Sequence, residues 1–163
     1  MLKSRKFIIS LSTVFTLAFS GMPAIASDDS HHEFKKNVVG VFGGFTNVDG
    51  DTHGTFGLEY ERRISQEFGV GVIFETTPGA HHGDGTSIYM GLLHFHPWQE
   101  LRVSVGYGKE DIHHEGAHSV DVWRAGIAYD FHVGGLGIAP SINFDRIDGH
   151  TAKVFGVALT KGF

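Results

Sequence analysis

Apolar and polar residues alternate along most of this chain. In the last stretch Phe155, Val157, Leu159 and Phe163 share one parity, while Val154, Gly156, Ala158, Thr160 and Gly162 hold the other. A period of two is the signature of a strand with one greasy face. The same pattern sets Phe68, Val70, Val72 and Phe74 against Gly69, Gly71, Ile73 and Glu75. It sets Leu101, Val103, Val105 and Tyr107 against Arg102, Ser104, Gly106 and Gly108. Trp123 to Phe131 and Leu136 to Phe144 repeat it. Eight strands are predicted, over 37–48, 54–64, 67–77, 86–96, 100–110, 119–131, 136–146 and 151–163. The first and fourth are apolar on both parities, so the pattern does not say which way they face. Pro140 cannot donate to a ladder and is expected to mark a bulge.

The predicted strands are about 11 residues long, the length a tilted strand needs to cross a bilayer. Residues 1–26 read as a cleaved signal peptide. Lys3, Arg5 and Lys6 form a basic head, Phe7 to Phe19 an apolar stretch, and Ala24-Ile25-Ala26 a cleavage site. Residues 27–36 form a polar leader on the periplasmic side. No later run is apolar enough for a transmembrane helix. A membrane crossing within 37–163 therefore requires a closed barrel, because only closure satisfies every backbone hydrogen bond.

Composition narrows the function. The chain holds 13 Lys and Arg, 18 Asp and Glu, and 12 His, for a formal net charge of −5. Its first 26 residues carry three of the cations and no acid, so the remainder is more acidic still. A nucleic-acid partner is not expected. Cysteine is absent, which excludes disulfides, thiolate metal sites and lipid attachment at a cysteine. Glycine is abundant, with 23 residues, and suits strands that must bend around a narrow lumen.

Alternation allows two barrels that are inversions of each other. One is a soluble, lipocalin-like carrier with its apolar face inward around a ligand. The other is a membrane barrel with that face outward. The signal peptide, the terminal Phe163 and aromatic residues at strand ends favour the membrane. Tyr60, Tyr107, Trp123, Tyr129 and Phe131 lie where interfacial girdles sit.

On these features, residues 37–163 resemble the small eight-stranded outer-membrane barrels of the OmpA and OmpX type. The resemblance implies an all-β, antiparallel, up-and-down transmembrane barrel in the cell outer membrane. It implies contact with outer-membrane lipid and lipopolysaccharide, insertion by the barrel-assembly machinery, and Phe163 as part of the assembly signal. A monomer is expected. Lys161 departs from the pattern, because the family's terminal strand usually carries an apolar residue there. Near the periplasmic edge its ammonium would snorkel to the interface.

With this parity, Glu59, Glu61, Arg63, Glu75, Arg102, Arg124, Asp130, Asn143 and Asp145 face the lumen. Side chains fill a barrel of this size. Buried charges must be paired. An internal network is therefore expected, with Arg102 and Arg124 bridging Glu59 and Glu75 and with Asp130 among its members. The network reads as a plug that orders the lumen, with a polar ion path as the functional alternative.

Histidine is the unusual residue. On this topology the outer loops are 49–53, 78–85, 111–118 and 147–150. They hold His53, His81, His82, His113, His114, His118 and His150, with Asp49, Asp51, Asp84, Asp111, Glu115 and Asp148 between them. Imidazole with carboxylate suits Zn²⁺, Ni²⁺ or Cu²⁺. The spacing matches no closed zinc motif. A solvated surface and a response to protonation are the alternatives. His94 and His96 are expected near the opposite rim, out of reach of that cluster.

No cofactor and no catalytic residue is expected. Some barrels of this size modify lipid A, and the deacylase type presents a His-x-Ser pair. This chain has no such pair, only the adjacent His118-Ser119. The ten-residue polar leader cannot supply the amphipathic helix of the palmitoyl-transfer type. The preferred reading is a non-enzymatic barrel with a structural or surface-interaction role. Surface capture of divalent metal and lipid A modification are the alternatives.

Overall fold

The structure, a computed structural model, describes residues 35–80, 83–113 and 118–163. The expected signal peptide and all but the end of the leader lie outside the described residues. The described chain is built from antiparallel β-strands. They are β1 (Asn37–Val48), β2 (Asp51–Arg63), β3 (Phe68–Thr77), β4 (Thr86–Trp98), β5 (Leu101–Ile112), β6 (His118–Tyr129), β7 (Phe131–Val133), β8 (Leu136–Ile147) and β9 (His150–Gly162). Each pairs with its neighbour in sequence, except that β6 pairs with β8. β1 also pairs with β9, from Val38 opposite Gly162 to Val48 opposite Ala152, and that pairing closes the ring. Phe163 extends the seam by exchanging backbone hydrogen bonds of 2.8 and 3.1 Å with Asn37.

β7 is the tail of the sixth spanning strand. Ala128 stands opposite Ser141 and Phe131 opposite Ile138, which is one continuous register. The ladder lapses between them, beside Ala139 and Pro140. Pro140 therefore does not mark the expected bulge. Its partner on the other side is Val157, in an unbroken β8–β9 register. The missing N–H faces the lapse, where Asp130 turns its own N–H to the Glu100 carbonyl at 2.7 Å. The register shift lies instead on β4, between Phe95 and Trp98, and it encloses Pro97.

The outer connections also differ from expectation. β2 starts at Asp51 and β9 at His150, so 49–53 and 147–150 are not loops. The connections are the two-residue turns Asp49-Gly50 and Asp148-Gly149. Their φ angles are +51° and +100°, and +41° and +86°. Two left-handed residues in succession make the turn whose twist matches that of flanking strands, and Asp-Gly is a preferred pair for it. Only 78–85 and 113–117 remain as longer outer connections.

The barrel is apolar outside and polar inside. Val41, Leu58, Val72, Leu93, Val105 and Leu159 are exposed, whereas Glu61, Arg102, Arg124 and Asp145 are buried. That overturns the soluble inversion, whose apolar face would line the interior. The facing of the two ambiguous strands is now defined. Phe42 points inward from β1, and Ile88, Met90 and Leu92 point inward from β4. They form two apolar patches on the lumen wall: Met90 and Leu92 with Ile73 and Val122, and Phe42 with Ala139, Val154 and Ala158. Phe42 fits because Gly44 and Gly156, directly opposite each other, have no side chain. A Cβ on either would overlap the Phe42 ring.

Every spanning strand carries one outward aromatic residue near its outer end. These are Phe45, Phe56, Phe74, Tyr89, Tyr107, Trp123, Phe144 and Phe155, all exposed. Direct cross-strand neighbours pack with their rings tilted against each other. Phe74 and Tyr89 have centroids 5.0 Å apart, and Tyr107 and Trp123 4.7 Å. A partial second belt at the other end includes Tyr60, Phe68, Phe95, Tyr129 and Phe131. From Phe155 to Phe163 the chain advances eight steps of about 3.4 Å, tilted by about 40°, which gives an apolar band roughly 20 Å tall. Transmembrane barrels show a band of this kind between aromatic girdles.

Candidate functional site

The lumen holds two layers of ionisable side chains. Arg124 on β6 centres the outer layer. Its two terminal nitrogens donate to Glu75 Oε1 and Oε2 at 2.7 and 2.6 Å. Its Nε and Nη2 donate to Asp145 Oδ1 and Oδ2 at 2.6 Å each. All three residues are buried. The planar guanidinium matches two carboxylates at once because its five N–H groups lie in fixed forks. Arg124 and Asp145 stand directly opposite in the β6–β8 register, whereas Glu75 reaches in from β3.

The second layer lies toward the end where Asn37 and Phe163 meet. Arg102 donates to Glu59 Oε1 at 3.3 Å and lies 3.7 Å from Glu61. His96 Nε2 meets Glu61 Oε1 at 2.8 Å, and both side chains are almost wholly buried. Arg63 Nε is 3.7 Å from the same carboxylate. His94 Nδ1 meets Ser104 Oγ at 2.7 Å. Gly69 and Gly71 on β3 make room for these groups: a Cβ on Gly69 would strike the Glu61 carboxylate, and one on Gly71 the His94 ring. Asp130 is buried on the same parity and acts on Arg102 through its charge from beyond ion-pair distance.

A cavity of about 30 Å³ lies between the layers, lined in part by Glu59, Glu75, Arg102, Arg124 and Asn143. That is room for ordered water among polar groups, not for a solute. The arrangement suits a filled, cross-braced lumen. Buried arginine and carboxylate together avoid the penalty either would carry alone.

Sequence reasoning placed Glu59, Glu75, Arg102, Arg124 and Asp130 in the lumen. Arg102 meets Glu59 and Arg124 meets Glu75. It named Asp145 and Glu61 as lumen-facing without giving them partners. It placed His96 only near a rim, and the buried His96–Glu61 contact was missed. Alternation within 86–96 could have shown it, because His94 and His96 share parity with Met90 and Leu92.

The outer histidines do not gather among the described residues. His150 Nδ1 pairs with Asp49 Oδ2 at 2.9 Å, linking the two tight turns. His113 Nε2 meets Ser87 Oγ at 3.0 Å, on the β4–β5 side of the ring. β4 and β9 are opposite members of the eight-strand ring, so these two imidazoles lie on opposite walls. His53 opens the lumen-facing row of β2 and lies against Gly79 in the 78–85 connection. His81, His82 and His114 lie outside the described residues. His118 begins β6, and its side chain is not described. Among the described residues no group of three or more His, Asp or Glu is placed to hold a metal ion.

Just beyond the outer aromatic belt the outward-facing side chains turn polar. Lys109 Nζ donates to Asp121 at 3.0 Å, and Tyr107 OH to the same oxygen at 3.0 Å. Arg146 donates to Thr151 Oγ1 at 3.1 Å. Lys153 precedes Phe155 on β9, one outward position nearer the outer end.

No protein-family model matches the chain, and no curated protein sequence does. Its fold does have solved counterparts. The outer-membrane protein Ail of Yersinia pestis is 12% identical, with a TM-score of 0.54 over 80% of this chain and 100% of that one. The N-terminal β-barrel domain of Pseudomonas aeruginosa OprF is 15% identical, with a TM-score of 0.52 over 78% and 99%. Neisserial surface protein A is 7% identical, with a TM-score of 0.50 over 78% and 96%. The fold is therefore that of the small eight-stranded outer-membrane barrels.

Proposed function

We propose that this protein is a non-catalytic outer-membrane barrel with a structural or surface-interaction role. It reaches the outer membrane behind a cleaved signal peptide, is inserted by the barrel-assembly machinery as a monomer, and contacts phospholipid and lipopolysaccharide. One observation carries the reading: an inverted barrel, charged inside and apolar outside, with an outward aromatic residue on each of its eight spanning strands. Such a wall is unstable in water and stable in a bilayer. The filled lumen argues against solute passage and leaves the outer rim and its connections as the functional surface.

Capture of divalent metal is the second reading. Its support is that the two longer outer connections and their edges carry His81, His82, His113, His114 and His118. Metal titration of the refolded barrel tests it separately.

Fractionation tests the location. The protein is expected in the outer-membrane fraction, with a faster-migrating band in unheated gel samples than in boiled ones. Recovery as a soluble periplasmic monomer would overturn the reading.

A further inference from the structure

We propose that the wall formed by β8, β9 and β1 binds the phosphate groups of lipopolysaccharide through Arg146 and Lys153. This rests on the membrane placement above and adds a specific site to it. Three cations stand on the outward face just beyond the outer aromatic belt: Lys109, Arg146 and Lys153. Lys109 is neutralised by Asp121. The other two meet no carboxylate within 4 Å among the described residues. Among the described residues, Arg146 donates a hydrogen bond to the Thr151 hydroxyl.

Register makes them neighbours. Arg146 faces Thr151 across the β8–β9 ladder, and Lys153 faces Phe144 in the next outward pair. The two cations are therefore diagonal neighbours, about 7 Å apart at Cβ. Like charges at that spacing repel. A phosphate between them would convert repulsion into two charge-assisted contacts, one through the bidentate guanidinium. Asn47 stands opposite Lys153 on β1; its amide donates one N–H to Thr52 Oγ1 at 2.8 Å, which leaves one N–H of that amide beside the same point. Beneath them Phe144 and Phe155 mark the edge of the apolar band, so the site sits at headgroup depth.

The position selects the source of the phosphate. In a Gram-negative outer membrane the outer leaflet presents phosphorylated glycolipid, and phospholipid lies at the other rim. General attraction does not explain the pair, because the chain is acidic overall, with a net charge of −5. The tight turns above the patch carry Asp49 and Asp148. A local cationic patch in an acidic setting fits a ligand held at one spot.

The test uses the barrel refolded in zwitterionic micelles and titrated calorimetrically with bis-phosphorylated lipid A. Wild type is expected to bind at least tenfold more tightly than Arg146→Gln/Lys153→Gln. Lys109→Gln should match wild type. Dephosphorylated lipid A should bind both proteins equally weakly. Arg146→Lys keeps the charge and should fall between wild type and the double variant. Three results would overturn the site: equal binding by wild type and double variant, equal binding of phosphorylated and dephosphorylated lipid A, or equally tight binding of phosphatidylglycerol. A wild-type chain that cannot be refolded into micelles would instead overturn the membrane reading. If the double variant does not refold, Lys153→Gln alone decides, with a several-fold loss expected.

Discussion

Arg124 closes both of its forks on carboxylates from two other strands, Glu75 of β3 and Asp145 of β8, in four contacts of 2.6 to 2.7 Å. The three strands are not consecutive around the ring. This one side chain therefore braces the lumen across its width, in the space that a larger barrel would leave to water.

Removing that brace should be costly. Arg124→Met leaves Glu75 and Asp145 buried without a cation, and a loss of about 3–5 kcal/mol is expected. Combining Arg124→Met with Glu75→Gln and Asp145→Asn removes the unpaired charge and should recover much of the loss. Urea unfolding of the folded barrel in micelles measures both. A single variant that is as stable as wild type would show that water enters the lumen and solvates the carboxylates.

The two faces of β5 should respond differently. Val105 is exposed on the lipid side and Ser104 is buried on the other. Val105→Arg should cost about 2–4 kcal/mol if it lies near the bilayer midplane. Ser104→Ala loses one hydrogen bond to His94 and should cost about 1 kcal/mol. Equal effects in lipid vesicles would contradict the outward assignment of Val105.

Phe163 joins the seam through its backbone to Asn37 and leaves its ring exposed. Little folding energy depends on the ring. Deleting Phe163 should nevertheless reduce outer-membrane assembly several-fold in cells while leaving refolding in micelles nearly intact. Equal losses in both settings would assign the residue to stability and not to an assembly signal.

If the outer histidines form the metal site of the second reading, Zn²⁺, Ni²⁺ or Cu²⁺ should raise the melting temperature of the refolded barrel by linkage. Binding should weaken below about pH 6, where imidazoles take up protons and cease to be ligands. Replacing His113, His114 and His118 by Ala should remove most of the affinity and leave the strands intact. Calorimetry at neutral pH is the measurement. Affinity no tighter than millimolar, or no change in the triple variant, would leave these residues as solvated surface.

Local pattern sufficed for the strands. A two-residue period is local, so Val103, Val105 and Tyr107 were separable from Arg102 and Ser104 without knowing any neighbour. The same reasoning counted the spanning strands and put Glu59, Glu75, Arg102 and Arg124 on the polar parity of their strands, without saying which arginine meets which glutamate. Asp-Gly at 49–50 and 148–149 is equally local, a two-residue hairpin signal present in the sequence itself.

Which parity faces outward was not local. Alternation is unchanged when a barrel is turned inside out; the signal peptide and the aromatic strand ends pointed to the apolar face outward, and the closed ring shows Val72 and Leu159 outside with Arg124 within. Facing in β1 and β4 needed neighbours as well, because Phe42 can point inward only where Gly44 and Gly156 leave space. The His96–Glu61 contact, the Arg124 brace and the adjacency of Arg146 to Lys153 depend on register between strands. The order of residues in the sequence determined the faces of each strand. Ring closure and stagger decided which side chains meet, because those contacts join positions tens of residues apart whose alignment no single strand encodes.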